Sequence, residues 1–486
     1  MPIRAQQVLT LFEQINRIPR CSKNEQAIAA WLRKWADDRS FANEQDEIGN
    51  VLIRVPATTG LEDAPVIALQ GHMDMVCEKT SESTHNFETD PITIVADGEW
   101  IHAEDTTLGA DNGIALAIAL AFAEGDAPHP ELEILITVDE ETGLTGAKNL
   151  QPGWLTSRVL LNIDSEDEGV FTVGCAGGRD TIITLRTEQE ALPENLEVCE
   201  VAVSGLQGGH SGVDIHLGRA NANVLLVRTL LALGSRLDAT VRLAGLRGGN
   251  AHNAIPREAS AVIGFPSEAR ARVEAEVAAE LDTFRSEYGA LEPGLAVTLR
   301  SATDPSDVFT ESSAGQILDL LAGLPHGVVR MSSEVPGLVE TSTNLATVRA
   351  HNDAVEIKTS QRSSYTSRLA EIANRMEAIA RLAGAEVKNE SSYPPWEPHM
   401  ESELLGRAVE SYRGAFGKDP VVEVIHAGLE CGVIGSKYPE MQMISFGPTI
   451  QNAHSPDERL FVPSLDRICV FMETLFGSYL EGTLES

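Results

Sequence analysis

The chain has 486 residues, enough for two domains, because single hydrophobic cores rarely grow much past roughly 250–300 residues. Its 72 acidic residues against 37 basic ones give a formal charge of −35, which repels nucleic acid and anionic membranes. With 43% hydrophobic and 22% charged residues it reads as a folded, soluble protein, and its acidity makes carboxylates alone weak indicators of a metal site.

Val8–Ile18 carries apolar residues at helical spacing but lacks the long apolar run of a signal peptide. Asn24–Ala36 follows, with Ser22 and Glu25 placed as a capping box. From Pro65 onward, the short apolar runs Val66–Leu69, Leu132–Val138, Val159–Ile163 and Met441–Phe446 predict buried strands. Asn112–Ala123 predicts a helix between the first two, with Asp111 at its N-terminal end. Its apolar stretch Ile114–Ala123 is far short of the ~20 residues that span a bilayer. This alternation predicts an α/β fold, a catalytic domain with a mostly parallel sheet and helices on both faces.

A different texture follows. Val198–Val203, Ala220–Leu233, Ala239–Leu243, Ala259–Phe265 and Glu268–Tyr288 read as β-α-β-β-α, and residues 296–382 repeat that order. The expectation is an inserted α+β lid domain over 180–389, built from two similar α+β units. It interrupts a discontinuous catalytic domain of 1–179 and 390–486. The six cysteines form no Cys-x-x-Cys pair, and Cys77 and Cys431 read as buried spectators in a reducing compartment.

Polar clusters stand directly after the predicted strands: Gly71-His-Met-Asp74, Asp139-Glu-Glu141 and Asp164-Ser-Glu166, with His454 shortly after the last strand. Open parallel sheets bind ligands outside the carboxyl ends of their strands, so these clusters can converge on one crevice, joined by Asp111. Two histidines and three carboxylates make a nitrogen–oxygen donor set suited to Zn²⁺, Mn²⁺ or Co²⁺. Two cations about 3.5–4 Å apart need a carboxylate between them, and hydroxide trapped there is a strong nucleophile. An extra carboxylate beside the ligands can take the water's proton, which is the logic of Glu140-Glu141. Gly-x-Ser-x-Gly, the P-loop and His-Glu-x-x-His are all absent from the sequence.

His72-Met-Asp74, Ala110-Asp-Asn-Gly113, Asp139-Glu-Glu141, Asn162-Ile-Asp164-Ser-Glu166 and Asn452-Ala-His454-Ser resemble the motifs of the M20 metallopeptidases. Gly209-His-Ser-Gly212, Asn250–Arg257 and Ile425–Gly432 resemble the dipeptidase branch of that family, which includes Xaa-His dipeptidases. The resemblance implies a cytoplasmic, metal-dependent, broad-specificity dipeptidase with two divalent ions, Zn²⁺ first and Co²⁺ or Mn²⁺ as alternatives. It implies His72 and Asp164 on one ion, Glu141 and His454 on the other, and Asp111 bridging. Asp74 would orient His72, and Glu140 would be the general base. His210 would polarise the scissile carbonyl, and Arg362 would bind the substrate carboxylate. Asn253 and Arg257 are further candidates for that pocket, and His426 and Glu430 would help form the branch-specific pocket, with Glu430 an anchor for a free substrate amine. The partners implied are dipeptides and a second copy of the chain in a homodimer. The alternatives are another M20 amide hydrolase, such as a deacylase or tripeptidase, and a non-catalytic peptide-binding protein.

Overall fold

The computed structural model describes residues 2–481 apart from 238–240, 304 and 352. Contacts divide the chain into two compact units. The first runs to Gly174 and includes Pro398–Val424 and the chain from Leu429 on; the second is Cys175–Glu397 with Ile425–Gly428.

The first unit is built on an eight-stranded mixed sheet. Its strands run in the order Ala42–Gln45, Val51–Val55, Leu132–Thr137, Ile67–His72, Val159–Asn162, Gln442–Ser445, Val170–Cys175, Val421–Ile425. The four central strands, from Leu132–Thr137 to Gln442–Ser445, are mutually parallel, and antiparallel neighbours flank them on both sides. These strands read in sequence as unbroken apolar runs because both faces are covered, and Ile67–His72 and Leu132–Thr137 are buried at every position. Helix Ala110–Glu124 packs on Ile67–His72 and against helix Ala5–Ile15. It is buried on nearly all sides, as expected of a helix that is apolar all round. A small four-stranded sheet, Ile450–Gln451, Arg459–Phe461, Trp100–Ala103 and Ile94–Asp97, carries the loop that holds His454.

Two local expectations are corrected. Helix Gln26–Asp37 forms without the predicted capping box. Ser22 instead donates to Asp74 Oδ2 at 2.7 Å, and Glu25 Oε1 accepts the amides of Lys23 and Asp139. Cys77 is no buried thiol: it is bonded to Cys21, 56 residues away, whereas Cys431 is buried as expected.

The second unit carries a nine-stranded sheet. Leu196–Ser204, Ala259–Pro266 and Arg242–Gly248 lie side by side, followed by Val339–Ala350, Ala354–Ser363, Gly177–Arg186 and Glu386–Tyr393. Part of the predicted strand 239–243 lies outside the described residues. Ala296–Ser301, the opening strand of the second β-α-β-β-α run, crosses to pair with Leu196–Ser204 of the first, so both runs share one sheet. Helices Ala222–Arg236, Arg270–Tyr288, Glu311–Gly323 and Thr366–Leu382 contribute to its core through Leu225, Phe284, Ile317 and Met376.

Candidate metal centre

Three of the four central strands end at or just before a candidate site residue. His72 is the last residue of its strand; Glu140 and Glu141 follow Leu132–Thr137; Asp164 follows Val159–Asn162. Parallel pairing sets Gln70 opposite Leu135 and Asn162, and His72 opposite Thr137, which aligns these ends at one rim of the sheet. Asp111 enters from the first turn of Ala110–Glu124, where the Asp111–Asn112 peptide is cis.

The side chains converge in two triads. Ligand atoms of His72, Asp111 and Asp164 lie within 4.8 Å of one another, and so do those of Asp111, Glu141 and His454. Asp111 belongs to both triads: its Oδ1 is 3.2 Å from His72 Nε2 and its Oδ2 is 2.9 Å from His454 Nε2. Asp164 Oδ1 is 3.4 Å from His72 Nε2, and Glu141 Oε2 is 3.1 Å from His454 Nε2. Ligand atoms of His72, Glu140 and Glu141 also group within 4.8 Å.

The arrangement fits cations. Among the described residues, no lysine or arginine forms an ion pair with Asp111, Glu140, Glu141 or Asp164. Glu141 Oε1 is buried with no hydrogen-bond partner, a costly state for a carboxylate unless a cation faces it. Burial and the neighbouring charges also shift the pKa values of this group. Burial pushes Glu140 well above the carboxylate range and Asp164 up to about 6. Hydrogen bonds to Asp111 and Glu141 hold His454 at about 11. Burial opposes a charged His72, yet Asp164, Asp111 and Asp74 keep its pKa well above that of a free histidine.

Asp74 braces this group. Its Oδ1 lies 3.3 Å from His72 Nδ1 and accepts the Glu140 amide at 3.0 Å, while its Oδ2 accepts the Glu141 amide at 3.3 Å. Burial raises its pKa, but the bonds from His72, Glu140 and Ser22 win and hold it at about 2, so it stays a carboxylate. Sequence reasoning missed other supports. Asn112 Oδ1 accepts the His72 amide at 3.1 Å and its Nδ2 donates to Ile163 O at 2.8 Å, tying two strand ends to the helix. Asn112 lies next to Asp111 in the quoted motif, which was the available signal.

Glu430 lies beneath the centre, with its Oε1 buried and without a hydrogen-bond partner. It is fully buried, and its Oε2 accepts from Thr137 Oγ1 and Gln70 Nε2, both at 2.6 Å. Gln70 in turn accepts from Asn162 Nδ2, so Glu430 ties three ligand-bearing strands together through its other oxygen.

The remaining candidates belong to the second unit. His210 Nδ1 accepts the amides of Gly212 and Val213, which leaves the ring proton on Nε2. Burial, helped by the Arg362 charge, lowers the His210 pKa to about 4, so the ring is neutral. Arg362 is buried; its Nη1 donates to the Tyr393 hydroxyl at 2.7 Å while its Nε has no partner. His426 Nε2 is 2.7 Å from Ser342 Oγ, and burial with the nearby Arg362 lowers its pKa to about 3. Gly212 lies so close to these two that a Cβ there would come within 2.2 Å of the His426 carbonyl and 3.1 Å of Arg362. Asn253 and Arg257 are exposed.

A mixed α/β sheet with two overlapping carboxylate–histidine triads gathered beside its strand ends has the make-up of a metallohydrolase. Residues 68–477 match the family described as Peptidase family M20/M25/M40, and the chain belongs to that family. Within it, the chain is 40% identical over 456 residues, 94% of each chain, to the cytosol non-specific dipeptidase of Escherichia coli K12. It also superposes on the aminoacylhistidine dipeptidase of Vibrio alginolyticus with a TM-score of 0.89 and 38% identity, covering 98% of this chain and 97% of that one. A tripeptidase from Staphylococcus aureus, 17% identical with a TM-score of 0.57 over 99% of this chain and all of that one, shares the fold.

Proposed function

We propose that the chain hydrolyses dipeptides, Xaa-His dipeptides among them, with two divalent cations as resident cofactors, Zn²⁺ first and Co²⁺ or Mn²⁺ as substitutes. The observation that carries this reading is the pair of three-residue triads sharing Asp111, with Glu140 beside them. Identity of 40% to a named dipeptidase across nearly the whole of both chains supports the substrate class. When bound, the cations polarise the scissile carbonyl and lower the pKa of the attacking water.

The chain's own residues do the rest. His72 and Asp164 would hold one ion and Glu141 and His454 the other, with Asp111 shared between the two triads. Asp74 keeps the His72 proton on Nδ1, so that Nε2 is free to coordinate. Glu140 accepts the water proton and passes it to the leaving amine; burial raises its pKa, and cations bound beside it would lower it again and free the carboxylate to act as a base. His210, neutral with its proton on Nε2, donates to the carbonyl oxygen as that atom gathers charge. Arg362 pairs with the substrate's C-terminal carboxylate, and His426, Asn253 and Arg257 complete that pocket. Glu430 acts through Gln70 and Thr137.

A cytoplasmic location is supported by the cytosolic relative, and among the described residues no helix is long and apolar enough to cross a membrane. The homodimer rests on the family resemblance alone, and the mass of the protein in solution tests it. The reading as a whole is tested by stripping the protein of metal, reloading it with Zn²⁺, Mn²⁺ or Co²⁺, and assaying dipeptides, tripeptides and N-acyl amino acids. Metal-restored cleavage of unblocked dipeptides is expected. Cleavage of N-acyl amino acids or tripeptides without dipeptides would overturn the substrate class, and metal-independent cleavage would overturn the mechanism.

A further inference from the structure

Glu458 has no role in the chemistry so far, yet its carboxylate makes four hydrogen bonds to the segment that carries Asp111. It is 2% exposed. Its Oε2 accepts the amides of Leu108 and Gly109 at 2.7 and 2.9 Å, and its Oε1 accepts those of Ala110 and Asp111 at 2.8 and 3.2 Å. These amides open helix Ala110–Glu124, where N–H groups have no partner inside the helix and the macrodipole favours an anion.

The same carboxylate stands four residues after His454, in the connection between Ile450–Gln451 and Arg459–Phe461, whose pairing sets Gln451 opposite Arg459. His454 therefore reaches Asp111 Oδ2 from a hairpin whose return strand begins immediately after Glu458. Arg20 grips the carbonyl side of the same turn. It is buried, its Nη2 donates to Gly109 O, and its Nη1 donates to Met73 O and Asp74 O at 3.2 and 3.1 Å. Gly109 and Gly113 leave room for that guanidinium: a Cβ at either would approach Arg20 Nη2 to 2.5 Å. The Leu108–Asp111 turn is thus fixed by an anion on its amides and a cation on its carbonyl.

We propose that Glu458 is a positioning residue for the dinuclear centre, holding the bridging Asp111 and the ligand His454 in one frame so that both ions bind together. The inference rests on the metal reading above. A serine or aspartate cap satisfies one or two amides of a helix start; Glu458 satisfies four, including that of the bridging residue itself. Because Asp111 belongs to both triads, an error in its placement weakens both sites, whereas loss of a ligand held by one triad weakens one.

The test is zinc occupancy of the holoenzyme across a series of chelator-buffered free Zn²⁺ concentrations, with Tm measured alongside. Glu458→Gln keeps the shape but replaces one acceptor oxygen with a donor facing two N–H groups. Both ions should leave together at roughly 10–100-fold higher free Zn²⁺ than in the wild type, the range for losing a partner that orients a ligand. The control is Glu133→Gln. Glu133 is also fully buried and accepts the Thr156 and Ser157 amides, far along the strand from the ligands. It should lower Tm and leave the zinc curve unmoved. A Glu458→Gln protein with the wild-type zinc curve and a lowered Tm would reduce Glu458 to a helix cap and overturn the proposal. If that variant does not fold, hydrogen exchange of the wild type decides. The Leu108–Asp111 amides should gain protection on zinc loading, and unchanged exchange would overturn the proposal too. A wild-type protein that takes up no zinc would instead remove the metal reading on which it stands.

Discussion

Carboxylates crowded around two imidazoles favour protons on their neighbours: the pKa values of His72 and His454 are raised by the carboxylates beside them, and that of Glu140 by burial. Cations compete with those protons, so metal uptake must release them. Zinc titration calorimetry at pH 7 in buffers of different ionisation enthalpy should show net proton release, and affinity should rise with pH. The metal-free fold has the opposite sign for His454. Its raised pKa contributes stability that is fully present below the ordinary histidine value and is lost as pH rises through about 11. Heat-denaturation midpoints with and without zinc should therefore diverge as pH rises, and parallel curves would contradict this account. The neighbouring carboxylates separate base from ligand. Glu140→Gln should keep two ions per chain and lower kcat by roughly 10²–10⁴-fold, the range for general acid–base catalysis. Glu141→Gln should lose an ion, and metal content that tracked Glu140 instead would exchange the two roles.

At the scale of elements, the centre depends on how closely helix Ala110–Glu124 meets strand Ile67–His72. Gly71 is the contact: a Cβ there would lie 2.3 Å from Asn112 Oδ1 and 2.9 Å from Ala115 Cβ. Asn112 Oδ1 is the acceptor of the His72 amide, so Gly71→Ala must push the helix start from the strand end. The expected result is a loss of about 1–3 kcal/mol, the usual cost of overpacking, together with zinc content below two per chain. An unchanged Tm and metal content would mean that the helix start can give way without cost. This closeness is half legible in the sequence. The four central strands and the polar residues at their ends follow from apolar runs bounded by charge, because a strand buried on both faces has no other composition to show. The Ser22–Glu25 capping box misleads because Ser22 is spent on Asp74, a partner 52 residues away. Arg20 and Glu458 leave no motif, since they bind backbone of a distant segment and backbone carries no sequence signal. The Cys21–Cys77 bond is hidden for the same reason: it joins loops that only the folded chain brings together.

Over the whole molecule, the first unit holds the groups that suit metal and water chemistry, while the second holds neutral histidines and a buried arginine that suit recognition of an anion. That division was legible as two textures along the chain. The crossing of Ala296–Ser301 into the first half of its sheet was not, and neither was the assignment of Ile425–Gly428 to the second unit. Both are long-range choices that local periodicity does not record. Length selection follows from the second unit's chemistry. A dipeptidase must distinguish a carboxylate one residue beyond the scissile bond from one farther away, and a fixed guanidinium can do so. Arg362 is fixed: Tyr393 holds Nη1, and the Tyr393 ring is itself wedged between Gly178 and Gly428, where a Cβ would approach to 2.5 and 2.6 Å. Its buried Nε is left without a partner, a donor that a substrate carboxylate would satisfy. Losing a charge-assisted hydrogen bond costs about 1.5–3 kcal/mol, or roughly one to two decades in kcat/KM. Arg362→Ala should depress cleavage of an unblocked dipeptide by that much and cleavage of its C-terminal amide far less, with zinc content unchanged. The two substrates would then be handled more alike than by the wild type. An equal fractional loss on both, with two ions still bound, would take the carboxylate from Arg362 and leave Arg257 as the next residue to test.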